Sequence, residues 1–499
     1  MEFDEGRTCW RVERATSLSL IIDGKEYFRA LREALIQARH RVLMIGWDFD
    51  FGIEMLPGES DDDGNAPDGL PNRIGAFLDE LVSRCPQLDI YLLQWSGGVV
   101  LAPGQTAPAL QVKFLSPSQV HLAFDGRHPV GACHHQKIVV VDSIAAFCGG
   151  IDVTDGRWDD RDHRSNNPLR AAKDGSIAQP WHDATAVLAG PAALALSELA
   201  HARWDRANDE TLAPLPRTDD TLWPASITPQ FRDIPVAIAR TEPPQPDSGA
   251  ICEIEALYLD AIASAREYIY FESQYFCADT LTAALKSRLA EEDGPEIIVI
   301  NPLKSQNRLE DIAMNVPRDK MIRALQAADK HGRFAIFSPT NDAGEDIYVH
   351  AKIVISDGKF LRVGSSNIDR RSMGFDTECD IAVLASDQAE QDAITAQLHA
   401  LLAEHLGMHQ QEIAQARAKH GSLLKAIAAL QEGTPPTNQR GLRPLRPRRR
   451  APVLEWLAHT RIFDPRYQRS AASRIGISSR HILLAAGALI ALLIAYLIT

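Results

Sequence analysis

Residues 134–142 read HHQKIVVVD and residues 350–357 read HAKIVISD, and this repeated pattern decides the fold. In both stretches a histidine stands two places before a lysine, apolar β-formers follow, and an aspartate comes seven residues after the histidine. Side chains two residues apart in a strand point to the same face, so each histidine should project together with its lysine. The sequence therefore predicts two strands that each carry one imidazole and one ammonium group.

The two stretches belong to a longer repeat. The sequences ALREALIQARHRVLMIGWDFD (30–50) and EALYLDAIASAREYIYFESQYF (255–276) each show an apolar helical period followed by a short apolar strand. The spacing from the motif lysine to a glycine turn is twelve residues in both halves, Lys137–Gly149 and Lys352–Gly364. Chance does not readily match so many spacings, so the chain is interpreted as a tandem duplication. Alternating helices and apolar strands predict an α/β layer structure for each half.

Composition and pattern divide the chain into five segments. A proline-rich stretch containing APLPR, WPASITPQ and TEPPQPDSG is typical of a linker between two lobes. The predicted segments are a first lobe (1–212), this linker (213–250), a second lobe with C-terminal helices (251–432), a basic linker (433–480) and a transmembrane anchor (481–499).

The charge distribution separates an acidic body from a basic stretch. The 499 residues carry a net charge of −14. Residues 433–480 contain eleven arginines and two acids, a local net charge of +9, so the rest of the chain carries −23. Neutralising the phosphates of a long nucleic acid requires an excess of Lys and Arg. The acidic body therefore argues against a nucleic-acid partner, whereas the arginines of 443–450 are expected either in a solvated linker or near anionic lipid headgroups.

The two ends of the chain and its cysteines indicate a cellular location. Seven scattered cysteines without a C-x-x-C pair are typical of reduced thiols, and the charged N-terminus lacks the hydrophobic core of an export signal. No charge occurs from Ile482 to Thr499, close to the minimum length of a transmembrane helix. This segment comes after the arginines and predicts a single-pass C-terminal anchor, with the body on the cytoplasmic side of a bacterial inner membrane. The alternative is a buried terminal helix.

The paired histidines and lysines predict the chemistry. Two similar halves related by a pseudo-twofold axis are expected to bring both pairs to one cleft. Such a cleft suits a phosphodiester: one imidazole attacks phosphorus, the other protonates the leaving alcohol, and the ammonium groups stabilise the phosphoryl oxygens. No cofactor and no metal are expected. The adjacent Cys133, His134 and His135 lack the spacing of a zinc site, and His134 is interpreted as a packing residue.

The motifs resemble those of a known family. The pattern H-x-K-x(4)-D occurs twice, and GSSNIDRRSMGFDTE (364–378) follows the second copy, which resembles the phospholipase D superfamily. GGIDVTDGRWD (149–159), PWHD (180–183) and YIYFESQYF (268–276) resemble its phospholipid-acting branch. The resemblance covers roughly residues 10–400. It implies two tandem αβα-sandwich lobes arranged as a pseudo-dimer and a phosphatidyl-histidine intermediate.

Matched motif by motif, the resemblance implies six catalytic residues. They are His135, Lys137, Asp142, His350, Lys352 and Asp357. The two aspartates come after the apolar strand, where an acid can anchor the turn or a neighbouring backbone segment. His135 corresponds to the usual nucleophile and His350 to the general acid and base, although these roles vary between the halves within the family.

The resemblance also implies residues around the catalytic groups. Glu378, and less directly Asp183 of PWHD, correspond to carboxylates that orient the imidazoles. Ser365 and Asn367 match phosphate-binding positions. The first half departs from this pattern because Asp152 stands where the second half has Asn367, so the two halves are expected to hold the phosphate unequally.

These features favour a phospholipase D-type phosphodiesterase or phosphatidyltransferase. Its expected partners are membrane glycerophospholipids, with water or an alcohol as acceptor, and the bilayer itself. The alternatives are a cardiolipin synthase, a nuclease of the same superfamily and a non-catalytic lipid-binding scaffold. The C-terminal position of the anchor argues mildly against the synthase, the acidic body argues against the nuclease, and the intact motifs argue against the scaffold.

Overall fold

Sixteen strands of the described residues form one continuous mixed sheet. The computed structural model describes residues 1–97, 116–172, 175–215, 221–244, 249–307, 310–432, 439–459 and 464–466. The described residues up to 465 form one compact unit. The order across the sheet, with strands numbered along the chain, is β18-β13-β12-β11-β15-β16-β17-β9-β1-β8-β6-β5-β2-β3-β4, and β10 also pairs with β9.

Most strands are short and buried. The two strands at the centre of the sheet, β1 and β9, are longer, with twelve residues each. The strands are β1 (Arg11–Ile22), β2 (Arg41–Gly46), β3 (Asp89–Trp95), β4 (Val120–Asp125), β5 (Ile138–Val141), β6 (Ala145–Gly149), β7 (Trp181–His182), β8 (Ala184–Ala189), β9 (Phe231–Glu242), β10 (Ile251–Cys252), β11 (Tyr268–Glu272), β12 (Glu296–Ile300), β13 (Phe334–Thr340), β14 (Tyr348–Val349), β15 (Ile353–Ser356), β16 (Phe360–Gly364), β17 (Glu378–Leu384) and β18 (Gly441–Pro444).

Helices cover both faces of the sheet. The α-helices are α1 (Gly24–Ile36), α2 (Ile74–Arg84), α3 (Pro191–Asn208), α4 (Glu253–Ser264), α5 (Asp279–Ala290), α6 (Val316–Ala328), α7 (Gln388–Leu406), α8 (Gln410–His420), α9 (Leu423–Glu432) and α10 (Pro452–His459). A 3-10 turn at Pro168–Arg170 and a π-helical turn at Asp311–Asn315 complete the described helical structure.

The sheet has the symmetry that the sequence repeat predicts. Reading outward from the centre, β1-β8-β6-β5-β2-β3-β4 in the first half corresponds strand by strand to β9-β17-β16-β15-β11-β12-β13 in the second. The two central strands β1 and β9 pair antiparallel, with Arg11 opposite Ile238 and Leu18 opposite Phe231. The halves therefore share one sheet, and the predicted α/β class is confirmed.

Three apolar clusters form the core. The first lies on one face of the sheet and combines α3 and α7 with side chains from both halves, such as Leu18 and Ile238. On the other face, α1 and α2 cover the first half, whereas α4, α5 and α6 cover the second. The common core on one face therefore ties the halves together, while each half keeps its own core on the other.

Two predicted linkers contain regular structure. Phe231–Glu242, within the expected linker 213–250, forms the central strand β9, because its alternating apolar residues pair with β1 and β17. In the expected basic linker 433–480, β18 pairs with β13 and Arg450 forms ion pairs with Asp311 and Asp319. The prediction that these stretches are linkers throughout was wrong. Their proline and arginine content is typical of linkers, but some of their residues pack on the rest of the chain.

No helix among the described residues is long and apolar enough to cross a membrane. The predicted transmembrane segment 481–499 lies outside the described residues. It therefore stays a prediction from the sequence.

Candidate active site

Each motif histidine lies in an extended segment that crosses to the other half of the molecule. The backbone N–H of His135 donates to the carbonyl of Thr377 over 2.9 Å, and that of His350 donates to the carbonyl of His182 over 2.7 Å. The short strands β7 and β14 pair in parallel at the second crossing. The prediction that the histidines and lysines lie within strands was wrong by a few residues, because β5 and β15 begin immediately after the lysines.

These crossings place each imidazole against a carboxylate of the opposite half. His135 Nδ1 lies 3.0 Å from Glu378 Oε2, and His350 Nδ1 lies 2.7 Å from Asp183 Oδ2. Both carboxylates follow directly after the residue that pairs with the histidine backbone. The arrangement fixes the ring orientation and leaves Nε2 of each imidazole as the nitrogen for chemistry.

The two lysines differ in their partners. Lys137 Nζ forms an ion pair of 3.0 Å with Asp152 and donates to the carbonyl of His135 over 3.1 Å. Lys352 Nζ donates to the carbonyl of His350, and among the described residues no carboxylate lies within ion-pairing distance of it. The sequence predicts that the two halves differ at Asp152 and Asn367. In the structure this difference gives Lys137 a carboxylate partner, whereas Lys352 has none among the described residues.

Burial sets the protonation of the cationic groups. It lowers the pKa of His135 well below the usual value, and the charges of Lys137 and Lys352 act in the same direction. Burial and Lys352 likewise lower the pKa of His350. Burial also lowers the pKa of Lys352 to about 7, with Asp183 opposing the shift and Lys137 adding to it. Lys352 lowers the pKa of both histidines, so the two motifs are electrostatically coupled.

The two orienting carboxylates are electrostatically different. Burial raises the pKa of Glu378 to about 7, although hydrogen bonds from Ser365 and Ser372 lower it in part. For Asp183 burial acts in the same direction, but His350 and Lys352 outweigh it and hold the pKa well below the usual range. Asp183 is therefore ionised at neutral pH, whereas Glu378 keeps its proton to a higher pH than an ordinary glutamate.

The predicted phosphate-binding residues have different surroundings. The Ser365 hydroxyl donates to Glu378 Oε2 over 2.5 Å and accepts the backbone N–H of Cys379, so it positions the carboxylate and is not directed at a phosphate. Ser372 donates to the other oxygen of Glu378 over 2.7 Å. Asn367 is buried and its side-chain oxygen has no hydrogen-bond partner among the described residues.

Asp142 and Asp357, predicted as catalytic, hold turns of the backbone. The carboxylate of Asp142 accepts the N–H groups of Arg39, His40 and Arg41 over 2.7–2.8 Å. Asp357 accepts those of residues 266, 267 and 268 over 2.7–3.0 Å. Both residues have a positive φ in the hairpin turn after β5 or β15, which short polar side chains tolerate. The expectation that these aspartates anchor a neighbouring backbone segment is confirmed. Their grouping with the catalytic residues is corrected, because each lies at the far end of the strand from its histidine.

Aromatic and cationic residues missed in the sequence surround His350. The Trp181 ring stacks on Tyr348 with centroids 4.8 Å apart and lies 5.0 Å from the His350 ring. The Arg157 guanidinium lies 4.3 Å from the Trp181 ring centroid and adds positive charge near His350. Arg157 lies in GRWD and Trp181 in PWHD, two segments that resemble the family. Their position in these segments is the feature of the sequence that could have identified them as site residues.

His134 is buried and has a structural role, as the sequence predicts. Its Nδ1 lies 3.0 Å from the Thr377 hydroxyl, and its Nε2 lies 3.1 Å from Asp125. Both partners are buried, and Asp125 is in turn bound by Arg203. The ring therefore supports the crossing segment that carries His135.

Two family models match the two halves of the chain. A model described as phospholipase D matches residues 126–226, and one described as cardiolipin synthase, PLD-like domain, matches residues 258–402. Each matched region contains one H-x-K motif and its aspartate. The chain belongs to the phospholipase D superfamily. The predicted family is thereby confirmed.

Plant phospholipases D are similar to this superfamily member in sequence. Phospholipase D alpha 1 of Nicotiana tabacum is 24% identical, over 78% of this chain and 65% of that protein. The Arabidopsis thaliana phospholipase D alpha 1 is also 24% identical, over 75% of this chain and 63% of that protein. The chain spans just under two thirds of the length of these relatives.

A solved bacterial structure has the same fold. The crystal structure of the phosphatidylserine synthase of Haemophilus influenzae Rd KW20 aligns with a TM-score of 0.51 and 12% sequence identity. The alignment covers 85% of this chain and 95% of the synthase chain. At this identity the likeness concerns the fold alone.

Proposed function

We propose that this superfamily member cleaves the distal phosphodiester of membrane glycerophospholipids through a phosphohistidine intermediate. The observation that supports this proposal is the exchange of carboxylates, in which His135 contacts Glu378 and His350 contacts Asp183. Two oriented imidazoles flanked by two lysines supply a nucleophile, a proton donor and positive charge for the phosphoryl oxygens. Water or an alcohol then accepts the phosphatidyl group.

In the first step His135 Nε2 attacks phosphorus. A P–N bond forms while the P–O bond to the headgroup alcohol breaks, and His350 donates its Nε2 proton to the departing oxygen. Lys137 and Lys352 stabilise the negative charge that builds up on the phosphoryl oxygens. Asn367, which the motif match assigns to phosphate binding, would donate its side-chain N–H to the same group.

In the second step the neutral His350 acts as a base. It removes a proton from water or an alcohol, whose oxygen attacks phosphorus, and the P–N bond to His135 breaks. Water yields phosphatidate, and an alcohol yields a new phosphatidyl ester. His350 ends this step protonated and His135 neutral, so the site returns to its starting state.

The unequal carboxylates support this division of roles. Ionised Asp183 opposes the lowering of the pKa of His350 by burial and Lys352, and the negative charge of a bound phosphodiester would favour the same imidazolium, which is the form required of a general acid. Burial raises the pKa of Glu378, so this carboxylate stabilises an imidazolium at His135 less strongly, which favours the neutral ring required of a nucleophile. The assignment agrees with the motif match made from the sequence.

A second candidate is phosphatidyl transfer to a lipid alcohol, as in cardiolipin synthesis. The match of residues 258–402 to a family model described as cardiolipin synthase favours it. The chemistry is the same until the acceptor enters, so the two candidates differ only in which hydroxyl reaches the intermediate.

A lipid assay with the full-length chain in detergent tests both candidates. Phosphatidylcholine, phosphatidylethanolamine and phosphatidylglycerol are offered with and without ethanol, and the products are separated by mass. Phosphatidate, together with phosphatidylethanol when ethanol is present, supports the proposal. Cardiolipin formed from phosphatidylglycerol alone supports the second candidate. Cleavage of DNA without turnover of any lipid would refute both.

Substitution of the histidines tests the intermediate. His135→Ala and His350→Ala are each expected to reduce turnover by at least about 10²–10⁴-fold, the usual contribution of general acid–base catalysis. Phosphorus-labelled lipid should leave an acid-labile label on wild-type protein and none on His135→Ala. A label that persists in His135→Ala but disappears in His350→Ala would reverse the two roles.

Attachment to a membrane by residues 481–499, with the body on the cytoplasmic side, is a further part of the proposal. The apolar run and the preceding arginines support it. Fractionation of cells expressing the full chain and a chain ending at residue 480 tests it. Equal recovery of both chains from washed membranes would contradict this anchor.

A further inference from the structure

A cluster of four buried polar side chains lies behind the active site. Asp23 precedes α1, His163 lies in the loop after β6, His182 belongs to β7 and Glu404 lies near the end of α7. One donor atom from each residue lies within 4.8 Å of the others, and all four side chains are excluded from solvent. The cluster joins parts of the chain that are as much as 381 residues apart.

The spacing of the donor atoms matches that of ligands around a small metal ion. His163 Nε2 lies 3.2 Å from Glu404 Oε1 and 3.6 Å from Asp23 Oδ2. His182 Nδ1 lies 3.3 Å from Asp23 Oδ1 and 2.6 Å from Glu404 Oε1. Ligands about 2.0–2.1 Å from a tetrahedral Zn²⁺ are separated by about 3.3–3.4 Å, so only the shortest of these contacts would have to lengthen appreciably.

The outer nitrogen of His163 is held by a carboxylate. His163 Nδ1 lies 2.9 Å from Asp159 Oδ2, which also accepts the backbone N–H of Trp181. Arg170 donates to the other oxygen of Asp159 over 2.9 Å. Metal-binding histidines are usually oriented in this manner, with the second ring nitrogen on a carboxylate that is itself hydrogen-bonded.

The outer nitrogen of His182 has an equivalent partner. His182 Nε2 lies 2.8 Å from Glu272 Oε2, and the other oxygen of Glu272 accepts the Tyr270 hydroxyl over 2.5 Å. His405 Nε2 lies 2.9 Å from that same oxygen. Both imidazoles of the cluster therefore direct their remaining nitrogen towards Asp23 and Glu404.

Two atoms that face the centre of the cluster lack a well-formed hydrogen bond. Asp23 Oδ2 and His182 Nδ1 are buried, and among the described residues their close contacts with His163 and Glu404 do not have hydrogen-bond geometry. Buried polar atoms without a hydrogen-bond partner are uncommon in folded proteins. Two carboxylates and two imidazoles that converge with unsatisfied atoms are the arrangement expected around a cation.

We propose that Asp23, His163, His182 and Glu404 bind one divalent transition-metal ion, for which Zn²⁺ is the best fit. Two imidazoles and two carboxylates are ligands that Zn²⁺ accepts in tetrahedral geometry. Four protein ligands and complete burial leave no position for a substrate. The ion is therefore structural, and the phosphodiester chemistry does not pass through it.

The proposed ion supports the active site through His182. The next residue, Asp183, orients His350, and the carbonyl of His182 accepts the backbone N–H of His350. The ligands come from both halves of the chain. Binding would therefore fix the crossing of the two halves at the point where the proton donor is held.

Metal analysis of the full-length chain tests the proposal. The chain is produced in medium containing Zn²⁺, Mn²⁺, Fe²⁺ and Co²⁺ and purified in detergent without chelators. We expect about one transition-metal ion per chain, and a lower unfolding temperature after removal by a chelator under mildly denaturing conditions. Re-addition of Zn²⁺ should restore that temperature, and Co²⁺ should give the strong visible absorption of four-coordinate cobalt.

Matched variants place the ion. Glu404→Gln and His163→Gln should lose the metal, whereas His399→Gln, which alters a half-buried histidine on the same helix α7, should keep it. His135→Asn should also keep it, which separates this site from the catalytic histidines. Metal retained at full occupancy in both ligand variants would overturn the proposal. If those variants do not fold, wild-type chain that contains no metal and takes up none on refolding would do so.

Discussion

At the scale of residues, the two catalytic histidines are alike but their carboxylates are not. Asp183 is held ionised by His350 and Lys352, whereas burial raises the pKa of Glu378 to about 7. The two motifs are identical, but the site that they form is asymmetric. Such asymmetry suits the proposed reaction, which needs one histidine as an acid and the other as a neutral nucleophile. The difference arises from neighbouring charges and from hydrogen bonds that the motifs do not contain.

Glu378 is expected to produce an acid limb in the pH profile. Its pKa of about 7 means that the carboxylate, which orients His135, is lost as pH falls below 7. Wild-type kcat/KM should therefore decline towards pH 5, and Glu378→Gln should lack this decline while showing a lower rate at pH 8. Asp183→Asn should lower kcat by about 10²-fold or more across the range. An unchanged acid limb in Glu378→Gln would contradict the assignment.

Lys352 is expected to produce the alkaline limb. Burial lowers its pKa to about 7, so the ammonium that stabilises the phosphoryl oxygens is lost from the free enzyme as pH rises above 7. Wild-type kcat/KM should then fall by up to about tenfold per pH unit. Lys352→Arg should keep its charge and show no fall up to pH 9, at a lower maximum. The same limb in both proteins would assign it to another group.

At the scale of elements, the strand ends on either side of the site bring backbones close together. Gly149 and Gly364 end β6 and β16, where a Cβ would overlap with the neighbouring backbone at Thr185 or Asp380. The following position differs between the halves, with Gly150 next to Asp183 and Ser365 bound to Glu378. The glycine turns of the repeat therefore set the distance between each carboxylate and its histidine.

Gly150→Ala should displace Asp183. A Cβ at residue 150 would overlap with Asp183 Oδ1, and the backbone there otherwise accepts alanine because its φ is not positive. We expect a loss of kcat approaching that of Asp183→Asn, with the circular dichroism spectrum unchanged. Gly441→Ala in β18 is the control, since its Cβ meets only the flexible Gln431 side chain. Full activity of Gly150→Ala would show that the carboxylate has room to move.

Asp142→Ala should affect stability more than catalysis. It removes the acceptor of three backbone N–H groups, which should lower the free energy of unfolding by about 3 kcal/mol in urea titrations. The kcat per folded molecule should stay within about twofold of wild type. Asp142→Asn keeps one acceptor oxygen and tolerates the positive φ, so it should recover part of the loss. A large fall in kcat at unchanged stability would restore Asp142 to the catalytic set.

At the scale of the whole molecule, neither half contains a complete site. The sheet is continuous through β1 and β9, and each motif histidine contacts a carboxylate from the opposite half of the same chain. The duplication has therefore produced a single candidate site with internal pseudo-twofold symmetry.

Mixing inactive chains tests whether the site is assembled within one chain. Purified His135→Ala and His350→Ala proteins, combined and incubated, should show no more lipid turnover than either alone. Activity approaching a quarter of wild type after joint unfolding and refolding would indicate exchange of halves between chains. Wild type mixed with either variant controls for inhibition.

The repeated motifs allowed the α/β class, the family and the histidine–lysine pairs to be predicted. They also allowed Glu378 and Asp183 to be predicted as orienting residues, because in both halves an acidic residue precedes a similar apolar strand. They grouped Asp142 and Asp357 with the catalytic residues, although both carboxylates bind backbone N–H groups, and they gave no sign that the Ser365 hydroxyl binds Glu378. A motif fixes which residue types are present, but the partner of each side chain depends on segments distant in sequence.

The sequence by itself determined that two similar α/β halves would each carry an imidazole and an ammonium group, since strand periodicity and motif spacing are local properties. Only the tertiary structure decided that the carboxylates are exchanged between the halves, that β9 closes the sheet at its centre, and that Asp23, His163, His182 and Glu404 converge. These contacts join residues more than a hundred positions apart in most cases. Their distances and burial follow from packing, which no local pattern specifies.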